Sequence, residues 1–315
     1  MKQSVLSLLK LLLGWPLTLI AFYFLWKIVA SQTSQATFSL LHINLFFVFL
    51  SLLFFTIYFL GRCLLWQVIA THLGHKIPLT QTAYFWSVSE IKRYIPGNIW
   101  SYLGRGVLFA QKGMTKRDLF LGFFLEAQVL VIASFVLALP ATFYLIERFL
   151  PHLSLFLEIT AAGVLVCGVL AYIWQRKILF LLPRKFHKLS EMLASTHTSH
   201  QLSHICLWGI GVFLFFGLGY LFSIYAFISV MSPILLLSLS VFAFIVGYLA
   251  ILTPSGLGVR EGILVLGLST FLSPGEAVSI ALLGRILLTI AEVIALGITY
   301  ILYKNDEKSS SKTSS

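Results

Sequence analysis

The stretch RYIPGNIWSYLGRG, residues 93–106, places two arginines, one proline and three glycines between apolar segments. Proline and glycine interrupt helices, and an interrupted backbone is tolerated at membrane depth only where it is buried in protein or lines a wet cavity. The chain around it is 59% hydrophobic and 10% charged over 315 residues, with a mean hydropathy of +0.95. We therefore expect an all-α polytopic membrane protein in which this stretch is a broken or re-entrant segment that faces away from lipid.

Long apolar runs set the number of helices, since about 20 residues cross a hydrocarbon core. They predict a helical bundle of about six to eight transmembrane helices in a single domain, residues 1–303, followed by a polar, Ser-rich, disordered tail at 304–315. Two arrangements fit the sequence: six full helices with two broken or re-entrant regions, or eight crossings. The predicted spans lie near 11–30, 43–60, 119–146, 153–174, 205–230, 233–252 and 276–303, with mixed regions at 77–113 and 253–272.

The net charge of +11 comes from 22 Lys+Arg against 11 Asp+Glu. It fits basic cytoplasmic loops and anionic lipid, and no basic soluble domain is present that would bind nucleic acid. Segments 112–117 and 175–188 are basic and are expected inside, whereas 31–42 and 228–233 lack Lys and Arg and are expected outside. This pattern predicts a multi-pass protein of a bacterial inner membrane with both termini cytoplasmic.

A second stretch, LTPSGLGVREG (252–262), repeats the pattern of the first. In each copy an arginine follows the proline by six to nine residues, and a short apolar piece, a polar turn and a long apolar helix come next. The loop charges make the two long helices run in opposite directions. Equivalent helices that cross the membrane in opposite directions define an inverted repeat, which many transporters contain.

Helices that restart after a break expose N–H groups that attract anions, and an arginine nearby suits a phosphate. We expect Arg105, Arg260 and Arg285 to hold a phosphate, helped by backbone N–H groups near Gly97 and Gly256. Lys92 and Arg93 are instead expected to touch lipid headgroups. The helix-breaking residues of this candidate site are Pro96, Gly97, Pro254 and Gly256.

Ionisable residues deep in apolar helices are costly and mark function or a buried pair. Arg285, Thr289 and Glu292 share one helix face, which should point inward. Glu126 is expected to pair with Arg285 or Arg260. Glu261 is a further acidic candidate, and like Glu90 it is expected near the membrane interface. These acids balance the arginines or contact a cationic headgroup; the alternative is a purely structural ion pair between helices.

Catalytic motifs are missing from the sequence. No H-E-x-x-H, Walker or G-x-S-x-G motif occurs, and Asp118 and Asp306 are the only aspartates. We therefore expect no enzyme activity, no cofactor and no metal.

Two blocks of the chain carry a family pattern. The first is KRYIPGNIW (92–100), followed by Arg105 and GMT (113–115); the second is TPSGLGVREG (253–262), followed by SPGEA (273–277) and Arg285. In this order they resemble the lysylphosphatidylglycerol synthase transmembrane-region family of flippase-like membrane proteins. Larger members of that family join this region to a cytoplasmic aminoacyl-transferring domain. The chain ends twelve residues after its last predicted span, so the resemblance implies the flippase-like part alone.

The resulting hypothesis is a lipid flippase that moves an anionic phospholipid, glycolipid or polyprenyl-linked lipid between leaflets. Its partners would be membrane lipids with an anionic headgroup. The alternatives are a non-transporting scaffold, or accessory subunit that binds enzymes of an envelope-lipid pathway, and a membrane-embedded glycolipid transferase.

Overall fold

The computed structural model describes residues 43–94, 99–153, 199–228, 232–250 and 253–313. These residues form helices and no β-strand, which confirms the all-α prediction. Short 3-10 turns lie at Ile91–Tyr94, Pro151–Leu153 and Pro254–Gly256. The α-helices are α1 (Leu45–His72), α2 (Leu79–Glu90), α3 (Trp100–Ala110), α4 (Lys116–Phe149), α5 (Ser199–Tyr225), α6 (Pro233–Leu249), α7 (Val259–Leu268) and α8 (Pro274–Thr313).

Within the described residues, four helices, α1, α4, α5 and α8, are long and apolar enough to cross a membrane. They match the spans predicted near 43–60, 119–146, 205–230 and 276–303, and α6 matches the span near 233–252. The spans predicted near 11–30 and 153–174, the loops 31–42 and 175–188, and Pro96 and Gly97 lie outside the described residues.

The end of the chain corrects one prediction. Helix α8 continues through Thr313, so most of the predicted disordered tail at 304–315 is helical. Lys and Glu are good helix formers, and Thr80 donates a hydrogen bond to Asp306 Oδ2 at 2.7 Å. This contact ties the extended helix to the start of α2.

Two antiparallel helical hairpins contain the predicted breaks. Helices α2 (12 residues) and α3 (11 residues) form the first, and Phe85 of one leg meets Phe109 of the other at 5.8 Å between ring centroids. Helices α6 (17 residues) and α7 (10 residues) form the second, in which Gly267 packs on Leu239. At 1.5 Å per residue the legs are about 15–25 Å long, less than the roughly 30 Å of a hydrocarbon core.

Each hairpin is followed by a turn and a long helix, and the two long helices run in opposite directions. At one end of the bundle His75 contacts Asp118 near the start of α4 at 3.0 Å, and Thr80 contacts Asp306 near the end of α8. At the other end, Tyr144 near the end of α4 stacks on Phe271, just before α8, at 5.1 Å. The described chain therefore has the inverted-repeat parity that the loop charges predicted.

Helices α1 and α5 pack against each other through aromatic rings in the core. Phe55 meets Tyr220 edge-on at 5.1 Å, and Gly219 allows this approach because a Cβ there would lie 2.4 Å from the Phe55 ring. Helix α8 packs across α1, α2 and α7. The tips of the two hairpins, at Ile91–Tyr94 and Pro254–Gly256, meet inside the bundle.

Candidate functional site

Charged side chains collect where the hairpin tips meet, in an interior whose other buried side chains, among the described residues, are uncharged. All except Arg93 are residues with 8% exposure or less, and the Arg93 side chain is 15% exposed. We call this set the charged core: Arg62, Glu90, Arg93, Arg105, Glu126, Arg260, Glu261, Arg285 and Glu292.

Arg105, on α3, is surrounded by protein partners and is 1% exposed. Its Nε donates to Ser89 Oγ at 3.2 Å, its Nη1 to Glu126 Oε2 at 2.5 Å and its Nη2 to Glu90 Oε2 at 2.8 Å. All three guanidinium nitrogens are thus engaged in fastening α3 to α2 and α4. Because these partners are protein groups and Arg105 does not line the cavity described below, the predicted phosphate contact of Arg105 is not part of the site proposed there.

Glu126 pairs differently from the prediction. It accepts from Arg105 and from Arg62 Nη2 at 2.8 Å, and Trp86 Nε1 donates to it at 3.3 Å. Arg285 and Arg260 are not its partners. Sequence analysis missed Arg62, although an arginine inside the long apolar run that became α1 is itself a signal of a buried pair.

Arg93 joins the two repeats. Its Nη1 contacts Glu90 at 3.1 Å and its Nη2 contacts Glu292 Oε2 on α8 at 2.7 Å. The Tyr94 hydroxyl donates to the same Glu292 oxygen at 2.8 Å. Arg93 thus belongs to an interior ion pair rather than to a headgroup contact, and Glu90 is buried rather than interfacial.

Arg260, at the start of α7, differs from the other arginines because it forms no ion pair with a carboxylate of the described chain. It is 6% exposed, and its Nε and Nη1 have no hydrogen-bond partner. The guanidinium lies over the rings of Phe216 and Phe244, with centroids at 5.4 and 5.0 Å. A buried cation with unpartnered N–H groups is costly unless an anion joins it.

Arg285 and Glu261 lie beside Arg260. Arg285 Nη1 is 3.6 Å from Glu261 Oε1, and its Nη2 donates to Ser255 Oγ at 3.4 Å. Glu261 is 2% exposed, which corrects the prediction of an interfacial position, and its Oε2 accepts from the Gly258 N–H at 2.7 Å. Arg285 and Glu292 both point inward, as their shared helix face predicted.

The backbone turn before α7 is left-handed at three positions: Ser255 (φ 53°), Gly256 (φ 67°) and Gly258 (φ 81°). A Cβ on Gly256 would lie 2.7 Å from the Gly247 carbonyl oxygen. The turn at Pro254 therefore packs against α6 with no room for a side chain at Gly256. The Gly256 N–H donates to the Thr253 carbonyl at 3.3 Å, so it does not supply the predicted phosphate contact.

A cavity of about 370 Å³ lies between the two hairpins, and Arg260 lines it. Arg93 and Glu90, which pair with each other, also line the cavity. The hydroxyls of Tyr102, on the first hairpin, and Tyr248, on the second, lie 3.3 Å apart in its lining. Further lining comes from the exposed apolar residues Ile99 (44% exposed) and Leu249 (60% exposed). The cavity thus combines a cationic interior with an apolar rim.

The fold and this interior define an integral membrane protein whose charged groups converge between two broken helical segments. The chain belongs to a membrane-lipid-related family, the lysylphosphatidylglycerol synthase TM region, whose family model matches residues 7–297. No similar curated protein was found. The match confirms the resemblance carried by the two Pro/Gly/Arg blocks.

Proposed function

We propose that this protein moves a lipid with an anionic headgroup between the two leaflets of a membrane, without catalysing a chemical reaction. The observation that carries the proposal is Arg260, a buried arginine with two unpartnered nitrogens that lines a cavity between the hairpins. A phosphate oxygen would accept hydrogen bonds from these nitrogens and neutralise the charge. Arg285, on α8, donates a hydrogen bond to Ser255 beside it and would strengthen the positive field.

The shape and polarity of the cavity support an amphiphilic substrate. The headgroup would lie among Arg260, Tyr102 and Tyr248, where donors and acceptors are present. The exposed Ile99 and Leu249 at the rim would meet the hydrocarbon tail, which stays in the bilayer. A soluble anion has no hydrocarbon tail that would contact an apolar rim of this kind.

The distribution of charge supports the orientation. Lys76, 112–117 and Lys304 lie at the end of the bundle where His75 contacts Asp118, and by the positive-inside rule this end would be cytoplasmic. The chain would then sit in a bacterial inner membrane with its C-terminus inside. The two hairpins would be re-entrant from opposite sides, with their tips near the middle of the bilayer.

The inverted repeat supports the mode of transport. Arg93 and Glu292 connect the first hairpin tip to the last helix of the second repeat. Rocking of one repeat against the other would open the cavity to one leaflet and then to the other. No nucleotide-binding motif occurs in the sequence, so the movement would be passive or driven by an ion gradient.

Leaflet exchange in vesicles tests the proposal. The protein is reconstituted into liposomes that contain traces of labelled phospholipids or polyprenyl-phosphate lipids, and the label remaining in each leaflet is followed after a membrane-impermeant quencher is added. We expect exchange of at least one anionic lipid with the wild type and little with Arg260→Gln. Arg148→Gln, which removes an exposed arginine at the end of α4, is the matched control and should behave as the wild type.

A folded protein that exchanges none of these lipids would overturn the proposal and favour the scaffold alternative. The buried ion pairs of Arg105 with Glu90 and Glu126 are the observation that favours such a role, because they join α3 to α2 and α4. In an accessory subunit of an envelope-lipid pathway, these ion pairs would serve only to stabilise the helical bundle.

A further inference from the structure

The charges of the charged core do not cancel. It contains five arginines and four glutamates, so one positive charge is left without a counterpart. Arg62, Arg93 and Arg105 are matched by Glu90, Glu126 and Glu292 through six contacts of 3.4 Å or less. The imbalance is therefore confined to the second repeat.

Among the charged-core residues of that second repeat, Glu261 is the one carboxylate that is not paired with the first repeat, and its ion pair is with Arg285. Glu261 contacts Arg285 and accepts from the Gly258 N–H, so the described contacts of the Arg260 guanidinium are the rings of Phe216 and Phe244 and a hydrogen bond with Tyr220, none of which carries a negative charge. Arg260 is also the member of this trio that lines the cavity. The uncompensated charge is thus located at the place where a headgroup would bind.

We propose that the cavity selects lipids whose headgroup carries one net negative charge, in the form of a phosphodiester with no other ionised group. This inference rests on the proposed function, since it names the substrate class of the same site. A phosphomonoester with two charges would leave the interior with an excess negative charge, and a zwitterionic headgroup would leave the excess positive charge in place.

The physical basis is the cost of burying an unmatched charge. Two unit charges 4 Å apart interact by several kcal/mol at the effective dielectric of protein sites, which corresponds to more than about tenfold in binding. Because Arg62 and Arg93 at the cavity wall are already paired, they do not neutralise a second phosphate charge. Selectivity between headgroups with one and two negative charges therefore depends on the balance between the two cations, Arg260 and Arg285, and the one anion, Glu261.

Glu261→Gln tests this dependence directly. The substitution removes one negative charge, while the amide oxygen of glutamine is still able to accept the Gly258 N–H that begins α7. The excess charge beside the cavity becomes twofold, which would favour a doubly charged headgroup. Glu147→Gln is the matched control, because Glu147 is an exposed carboxylate at the end of α4.

The experiment compares three acyl-labelled probes in liposomes of one composition: phosphatidylmethanol (one charge), phosphatidic acid (two charges) and phosphatidylcholine (zwitterionic). Leaflet exchange is measured at about pH 9, well above the second pKa of a phosphomonoester, which is about 6 in water and higher at an anionic membrane surface. We expect the wild type and Glu147→Gln to exchange phosphatidylmethanol at least about tenfold faster than either other probe. Glu261→Gln should shift the ratio of phosphatidic acid to phosphatidylmethanol upward by about tenfold.

Each other outcome has a distinct meaning. Equal exchange of all three probes by the wild type, or faster exchange of phosphatidic acid, overturns the charge selectivity while the proposed function stands. Exchange of none of them overturns the charge selectivity, and the proposed function falls as well if the polyprenyl-phosphate lipids tested above do not exchange either. An unchanged ratio in folded Glu261→Gln refutes the role of the charge balance, and if that variant does not fold, the wild-type order of the three probes still decides.

Discussion

Two buried arginines, Arg105 and Arg260, lie in different chemical settings and should lose different amounts of stability on the same substitution to glutamine. Arg105→Gln removes the partner of Glu90 and Glu126, whereas Arg260→Gln removes a cation that has no carboxylate partner. Removal of one member of a buried ion pair costs about 3–5 kcal/mol, because the remaining charge stays buried. We expect about 3 kcal/mol for Arg105→Gln, the low end of this range, since Arg62 still contacts both carboxylates.

For Arg260→Gln the loss is smaller. The two ring contacts with Phe216 and Phe244 contribute about 1–2 kcal/mol, and removal of an unmatched buried charge offsets part of it. We therefore expect a net change of about 1 kcal/mol or less in the free energy of unfolding. Unfolding of both variants in mild detergent micelles, titrated with a denaturing detergent and followed by tryptophan fluorescence, gives the comparison. An equal loss for both variants, or a larger loss for Arg260→Gln, refutes the assignment of one arginine to structure and the other to ligand.

Three further outcomes are expected. Gly256→Ala should destabilise the protein and reduce lipid exchange, because the new Cβ would lie 2.7 Å from the Gly247 carbonyl oxygen and φ at this position is +67°. Gly262→Ala, in α7, is the control, because its Cβ would meet nothing within 4 Å, and it should be neutral or stabilise the protein by up to about 1 kcal/mol. Thermal unfolding compares the two variants. Glu292→Gln should slow lipid exchange in vesicles by weakening the Arg93 contact between the repeats; an unchanged rate would exclude that contact from the transport cycle.

Much of the fold could be predicted because it depends on local signals. Apolar length locates the starts of α1, α4, α5, α6 and α8 within six residues, but α1 ends at His72 rather than near 60 and α8 at Thr313 rather than near 303. The Pro/Gly breaks locate the hairpin tips. The parity of the repeat follows from loop charge, since basic loops mark one side of a membrane.

The pairing inside the site could not be predicted in the same way. Any of the five arginines is able to pair with any of the four glutamates, and the choice depends on helix rotation and hairpin closure. Glu126 pairs with Arg62 and Arg105 rather than with the predicted Arg285 or Arg260 for this reason. The helical end of α8 depends likewise on a tertiary contact, from Thr80 to Asp306.

The central claim is that a lipid phosphate binds Arg260 in the cavity between the hairpins, and magnetic resonance tests it most directly. The protein is labelled with ¹⁵N in its arginine side chains and reconstituted with phosphatidylmethanol, and dipolar coupling between guanidinium ¹⁵N and lipid ³¹P is measured in the solid state. We predict a coupling that is lost in Arg260→Gln and kept in Arg148→Gln. A spectrum in which Arg260→Gln retains every ¹⁵N–³¹P coupling of the wild type would contradict the account.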